Sequence, residues 1–188
     1  APPRSVNLLL LEAGELDAAG RAVVRGRRAR HLCEVLRAAP GTLLRAGVVD
    51  GRLGTAVVAS AGSDEAVVDV ALDREPAPAD DVLLLAVPRP KVLLRMLAHA
   101  AALGFGRIVL FRSWRVDRSW LDSTAMRPGA QREHLLLGLE QAGRTRVPEV
   151  TFCDRFRPMV EDTLPALGLP AQRFVAHPSA AVPTAALA

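Results

Sequence analysis

Apolar residues in the first part of the chain fall in short runs between turn residues: Val6–Leu11, Ala22–Val24, Leu43–Val49, Ala56–Ala59 and Ala66–Leu72. Runs of that length predict strands. Asp50-Gly51 lies between two of them and predicts a hairpin, because both residues accept the positive φ of a tight turn. One segment breaks the rhythm. Between Arg28 and Ala38, Leu32, Val35 and Leu36 recur at helical spacing, and Pro40-Gly41 ends the pattern. The N-terminal part therefore reads as a small β-barrel or sandwich with one helix.

Residues 74–81, Arg-Glu-Pro-Ala-Pro-Ala-Asp-Asp, hold no large apolar side chain and mark a linker. Beyond it the pattern alternates. Val82–Val87 is continuously apolar, as in a strand buried on both faces. Pro90 suits the first turn of a helix that runs to Leu103 and stops at Gly104. Strands are predicted at Arg107–Phe111, Glu149–Cys153 and Arg173–His177, with helices around Gln131–Ala142 and Pro158–Leu167. Such alternation implies a parallel sheet with right-handed crossovers. The expected organisation is residues 1–73, a linker at 74–81, and an α/β domain over 82–188.

The chain has 188 residues, 50% of them hydrophobic and 23% charged, so a packed core is feasible. No apolar run approaches a membrane span, and Val6–Leu11 is too short for a secretory signal. Cys33 and Cys153 stand far apart; they could pair, but they read better as reduced cytosolic thiols, so a cytoplasmic protein is expected. No Cys/His spacing suits zinc. Charge changes the picture more. Residues 21–31 contain Arg21, Arg25, Arg27, Arg28, Arg30 and His31 with no acid, and residues 89–118 are also strongly basic. Two basic stretches suit a polyanionic partner, and equally a solvated face.

Lys91, Arg95 and His99 share one face of the helix from Pro90, opposite Leu93, Met96, Leu97 and Ala100. Lys91 follows a strand end, the edge at which open α/β sheets bind ligands. A helix start beside Arg89 and Lys91 also suits a phosphate. Gly104-Phe105-Gly106 sits between helix and strand and is a turn, not a dinucleotide fingerprint. Trp114 and Trp120, among Arg112, Arg115 and Arg118, suit stacking on a base, on a guanidinium, or on the core. His134 reads as a surface or packing residue.

His31-Leu32-Cys33-Glu34-Val35-Leu36-Arg37 with Gly41, then Pro90-Lys91 and Leu103-Gly104-Phe105-x-Arg107-Ile108, occur in order along the chain. Glu140-Gln141-Ala142-Gly143-Arg144-Thr145-Arg146-Val147-Pro148-Glu149-Val150 and Ala176-His177-Pro178 follow them. Together these motifs resemble the RsmE-type uridine-N3 methyltransferases of small-subunit ribosomal RNA. The resemblance implies a PUA-like RNA-binding β-barrel joined to a SPOUT methyltransferase domain, with a C-terminal trefoil knot and a homodimer. It implies S-adenosylmethionine as cofactor and small-subunit ribosomal RNA, free or assembled, as partner.

On that basis Arg27, Arg28, Arg30, His31 and Arg37 are expected to hold RNA, and Arg89, Lys91 and Arg144 to contact phosphate or uracil. Ala176, His177, Pro178 and Ser179 are expected to wall the cofactor; no general base is named. The family continues into Gly-Pro-Glu-Gly-Gly and Leu-Gly-x-Arg-Ile-Leu-Arg segments that residues 1–188 do not contain. Residues 1–188 alone are therefore expected to show no methyl transfer. Ala100-Ala101-Ala102 also departs from the family's Thr-Glu before Leu-Gly. A non-catalytic RNA-binding protein with a degenerate α/β domain is the alternative.

Overall fold

The computed structural model describes residues 7–169 and 171–176. In the first lobe, β1 (Leu9–Leu11), β2 (Arg21–Arg25), β3 (Leu43–Val48), β4 (Leu53–Ala61) and β5 (Glu65–Arg74) form one sheet in the order β1-β3-β4-β5-β2. Strand alternation explains its two faces. Ala22 and Val24 on β2 and Ala66 and Val68 on β5 are buried, while Arg21 and Arg25 stand outside, directly opposite Asp69 and Glu65. Both opposite pairs close as ion pairs, at 2.8 and 2.7 Å. The hairpin between β3 and β4 forms where Asp50-Gly51 predicts it, with Asp50 at φ 56. The helix begins as α1 (Arg27–Arg30), continues as a π turn over His31–Val35, and buries Ala29 and Leu32.

The strands of the expected barrel form one mixed sheet with β1 and β2 as its end strands. Among the described residues no ladder joins β1 to β2, so the sheet keeps two edges. One of these end strands, β1, serves both lobes. Leu9 and Leu11 enter the first lobe's core, while Leu8 and Leu10 enter the core of the second lobe. Beside the strand, the Leu8 N–H donates to the Glu140 carbonyl at 2.8 Å. A strand packed on both faces needs an apolar side chain at every position, which accounts for the unbroken apolar run there.

Residues 75–81 carry no regular structure, while Arg74, the first residue of the expected linker, ends β5. Beyond them β6 (Val82–Ala86), β7 (Arg107–Phe111) and β8 (Glu149–Cys153) pair in parallel in that order. The crossovers are α2 (Pro90–Leu103) and α4 (Pro128–Ala142), with the short α3 (Arg118–Leu121) before α4. Both long helices open on proline and stop at a left-handed glycine, Gly104 or Gly143. Their close packing depends on Gly138, where a Cβ would collide with the Ala98 carbonyl. After β8 come α5 (Phe156–Pro158), a π turn over Met159–Thr163, and α6 (Leu164–Ala166). The expected strand at Arg173–His177 is corrected: Arg173–Ala176 is irregular and exposed, and His177 lies outside the described residues. Among the described residues none supplies it with a ladder. No helix among the described residues is long and apolar enough to cross a membrane.

Candidate functional site

Parallel pairing brings the carboxyl ends of all three strands to one edge, with Ala86, Phe111 and Cys153 in register. Chain leaving β7 and β8 there encloses a cleft of about 700 Å³, lined by Arg112, Ser113, Trp114, Asp154, Arg155 and Phe156 among others. Arg112 approaches Asp154 at 3.2 Å, and its backbone N–H donates to the Cys153 carbonyl. The Phe111 and Phe156 rings meet at 5.7 Å between centroids, which packs the cleft-lining Phe156 against the end of β7. Trp114 is 86% exposed, with the Arg115 guanidinium 4.5 Å above its ring. Just beyond, Asp117 caps α3. The Ser119 hydroxyl and backbone N–H both donate to its carboxylate and hold its pKa below the usual range.

Arg89 precedes α2 at the same edge, and Lys91 lies in the first turn. Both are exposed, and neither has an ion pair among the described residues. Arg95 and His99 continue the stripe on the solvent side, while Leu93, Leu97 and Ala100 are buried as their spacing predicts. His134 lies elsewhere, with Nδ1 3.0 Å from the Ala130 carbonyl, which fits its reading as a packing residue. Sequence reasoning did not single out Asp154 or Phe156. Their signal was their place immediately after the strand Glu149–Cys153.

The basic cluster at 21–31 is acid-free only in sequence. Arg27 pairs with Glu140 at 2.9 Å, and Arg28 pairs with Glu15 and donates to the Leu10 carbonyl. Burial opposes ionisation of Glu15, but the Arg28 guanidinium outweighs it and holds the carboxyl below its usual range. With Arg21 and Arg25 also paired, Arg30 and His31 are the members left without a carboxylate partner among the described residues, and Arg37 beyond the cluster has none either. Arg37 stands in the left-handed region at φ 47, where the helix ends.

Arg144 is separated from Arg89 and Lys91. It lies in the turn from α4 into β8, at the amino edge of the sheet, against Gly104. The motif around it joins the lobes. Thr145 is fully buried and donates through Oγ1 to the Gly51 carbonyl at 2.6 Å, and the Val147 N–H donates to Asp50 at 2.8 Å. Of the expected cofactor wall, Ala176 is exposed irregular chain, and His177, Pro178 and Ser179 lie outside the described residues. Among the described residues no cluster of His, Cys, Asp or Glu could hold a metal ion.

Residues 75–188, more than half of the chain, match the family model of the RNA methyltransferase domain. A Treponema pallidum (strain Nichols) protein named ribosomal RNA small subunit methyltransferase E is 32% identical over 157 residues, which cover 81% of this chain and 58% of that protein. The chain thus spans less than two thirds of that relative. Ribosomal RNA small subunit methyltransferase E from Neisseria gonorrhoeae, solved bound to S-adenosylmethionine, aligns with TM-score 0.60 and 21% identity, over 78% of this chain and 62% of that one. A Legionella pneumophila protein solved with bound S-adenosylmethionine aligns with TM-score 0.62 and 18% identity, over 85% and 66%. At those identities the two structures show a shared fold.

Proposed function

Since the chain belongs to the RNA methyltransferase family, we propose that it serves the transfer of a methyl group from S-adenosylmethionine to N3 of a uridine in small-subunit ribosomal RNA. The observation that carries this reading is the cleft at the carboxyl edge, where guanidinium groups and exposed aromatic rings share one wall. Its volume of about 700 Å³ lies within the range of small-molecule sites. Its lining mixes apolar surface from Val116, Phe156 and Pro158 with the Ser113 hydroxyl and the Asp154 carboxylate. That donor and acceptor set fits a nucleoside-like cofactor, and these residues would hold it together with Ala176, His177, Pro178 and Ser179. When bound, the cofactor supplies an already activated methyl group.

The remaining work falls to the chain itself. N3–H of uracil is a weak acid, so its anion needs positive charge nearby, and Arg112, Arg155, Arg89 and Lys91 supply it at this edge. Trp114 with its stacked Arg115 offers a platform for a base. Holding the uridine in line with the methyl group removes much of the entropic barrier. Arg30, His31 and Arg37, with Arg27 and Arg28 behind their ion pairs, hold the RNA backbone through the first lobe. In this reading the protein acts in the cytoplasm as a homodimer built through its second lobe, and the first lobe is a PUA-like module.

The full-length product of the gene, given S-adenosylmethionine with a labelled methyl group and small-subunit RNA, free or assembled, should yield N3-methyluridine on nucleoside mass spectrometry. Label on another base atom overturns the N3 assignment. Tight RNA binding with no label incorporated favours the non-catalytic alternative.

A further inference from the structure

A second cationic site lies at the opposite edge of the parallel sheet. Gly104 and Gly143 end α2 and α4 with φ 93 and 69. A Cβ at Gly104 would collide with the Arg144 guanidinium, and one at Gly143 with the Arg45 guanidinium. Each arginine head therefore rests on a bare helix-ending glycine. Arg144 and Arg146, from the same turn, line a cleft of about 220 Å³ with Pro76, Ala77, Gly104 and Gly143, the glycine on which Arg45 rests.

Like charges gathered there repel unless an anion answers them. Among the described residues, none of the ion pairs includes Arg45, Arg144 or Arg146. Of the carboxylates nearby, Asp50 accepts from the Val147 N–H and Glu75 pairs with Arg52, while the exposed Asp80 and Asp81 form no ion pair with these arginines. The negative ends of α2 and α4 explain why two cations sit at these glycines. They leave the planar hydrogen-bonding forks unused, and such forks match phosphate oxygens.

We propose that Arg45, Arg144 and Arg146 form a phosphodiester-binding seam that holds the RNA backbone away from the methyl-transfer cleft. The proposal rests on the RNA-substrate reading above. The seam draws Arg45 from the first lobe and Arg144 and Arg146 from the second, so one strand of RNA there engages both lobes. The five residues of β8 separate it from the cleft by about 17 Å along the strand.

The test is the salt dependence of small-subunit RNA binding by the full chain. Replacing all three residues by glutamine should flatten the slope of log affinity against log salt by about 2 to 3, one counterion per lost phosphate contact. Arg146→Gln alone should flatten it by about 0.7–0.9, and because Arg146 is exposed its melting temperature should be unchanged. If the triple variant melts early, the Arg146 variant decides. Wild-type slopes in these variants, with wild-type protein binding RNA, overturn the seam and leave the proposed activity standing. No RNA binding by the wild type overturns both.

Discussion

Glu15 and Arg28 show how one residue's ionisation reaches the fold. The Glu15 carboxylate accepts from the Arg28 side chain and from the Glu12 N–H, so the folded protein holds the proton less tightly than the unfolded chain does. A carboxyl with a depressed folded pKa contributes stability at neutral pH. That contribution fades as the pH falls through the ordinary glutamate range, about 4.3, and on toward the folded value. Melting temperature should therefore drop with acidification below about pH 5, and Glu15→Gln should show a shallower drop from a lower neutral value. Equal acid sensitivity in both proteins would remove Glu15 from the cause. Neither Glu15 nor Arg28 stood out as a pair in sequence, because the basic cluster has no acid within it and its partners arrive by folding.

At the scale of elements, the α2–α4 contact turns on a single missing side chain. Gly138 is buried, and an added methyl group would run into the backbone carbonyl of Ala98, which has no rotamer through which to escape. Alanine's better helix propensity, worth about 1 kcal/mol, works against that clash. Overpacking a close contact costs about 1–3 kcal/mol, and with a backbone atom as obstacle the clash should win. Gly138→Ala should lower the midpoint of denaturant unfolding while far-UV circular dichroism stays native; a raised midpoint would mean that the helices part without cost. The helices themselves were legible from their ends. Proline at the first turn and glycine after the last residue are local signals, and α2 runs from Pro90 to Leu103 as they predict. The expected strand at Arg173–His177 had no such support, because an apolar run becomes a strand only when a neighbour offers it a ladder.

The whole molecule is tied together by β1 and by the turn after α4. Leu8 and Leu10 serve one core, Leu9 and Leu11 the other, and Thr145 is buried in the joint. The lobes should therefore unfold as one unit. Thermal unfolding followed by Trp fluorescence, which reports the second lobe, and by far-UV circular dichroism should give coincident transitions. Leu10→Ala should shift both by the same amount, with a loss of about 2–5 kcal/mol. Two separated transitions would show that the linker at 75–81 divides the protein energetically as well as in sequence.

Periodicity, punctuation and order of motifs determined much by themselves: the strand-rich first part, the hairpin at Asp50-Gly51, the alternation after the linker and the family of the second part. These features depend on neighbours within a few residues, so the chain carries them wherever it goes. Which arginines remain free was decided by the tertiary structure alone. Arg27 finds Glu140 at a separation of 113 residues, and Arg132 finds Glu12 at 120. Arg144 lies apart from Lys91 because strand direction sends the two to opposite edges of one sheet. Charge acts through space, and only folding sets the distances over which it acts.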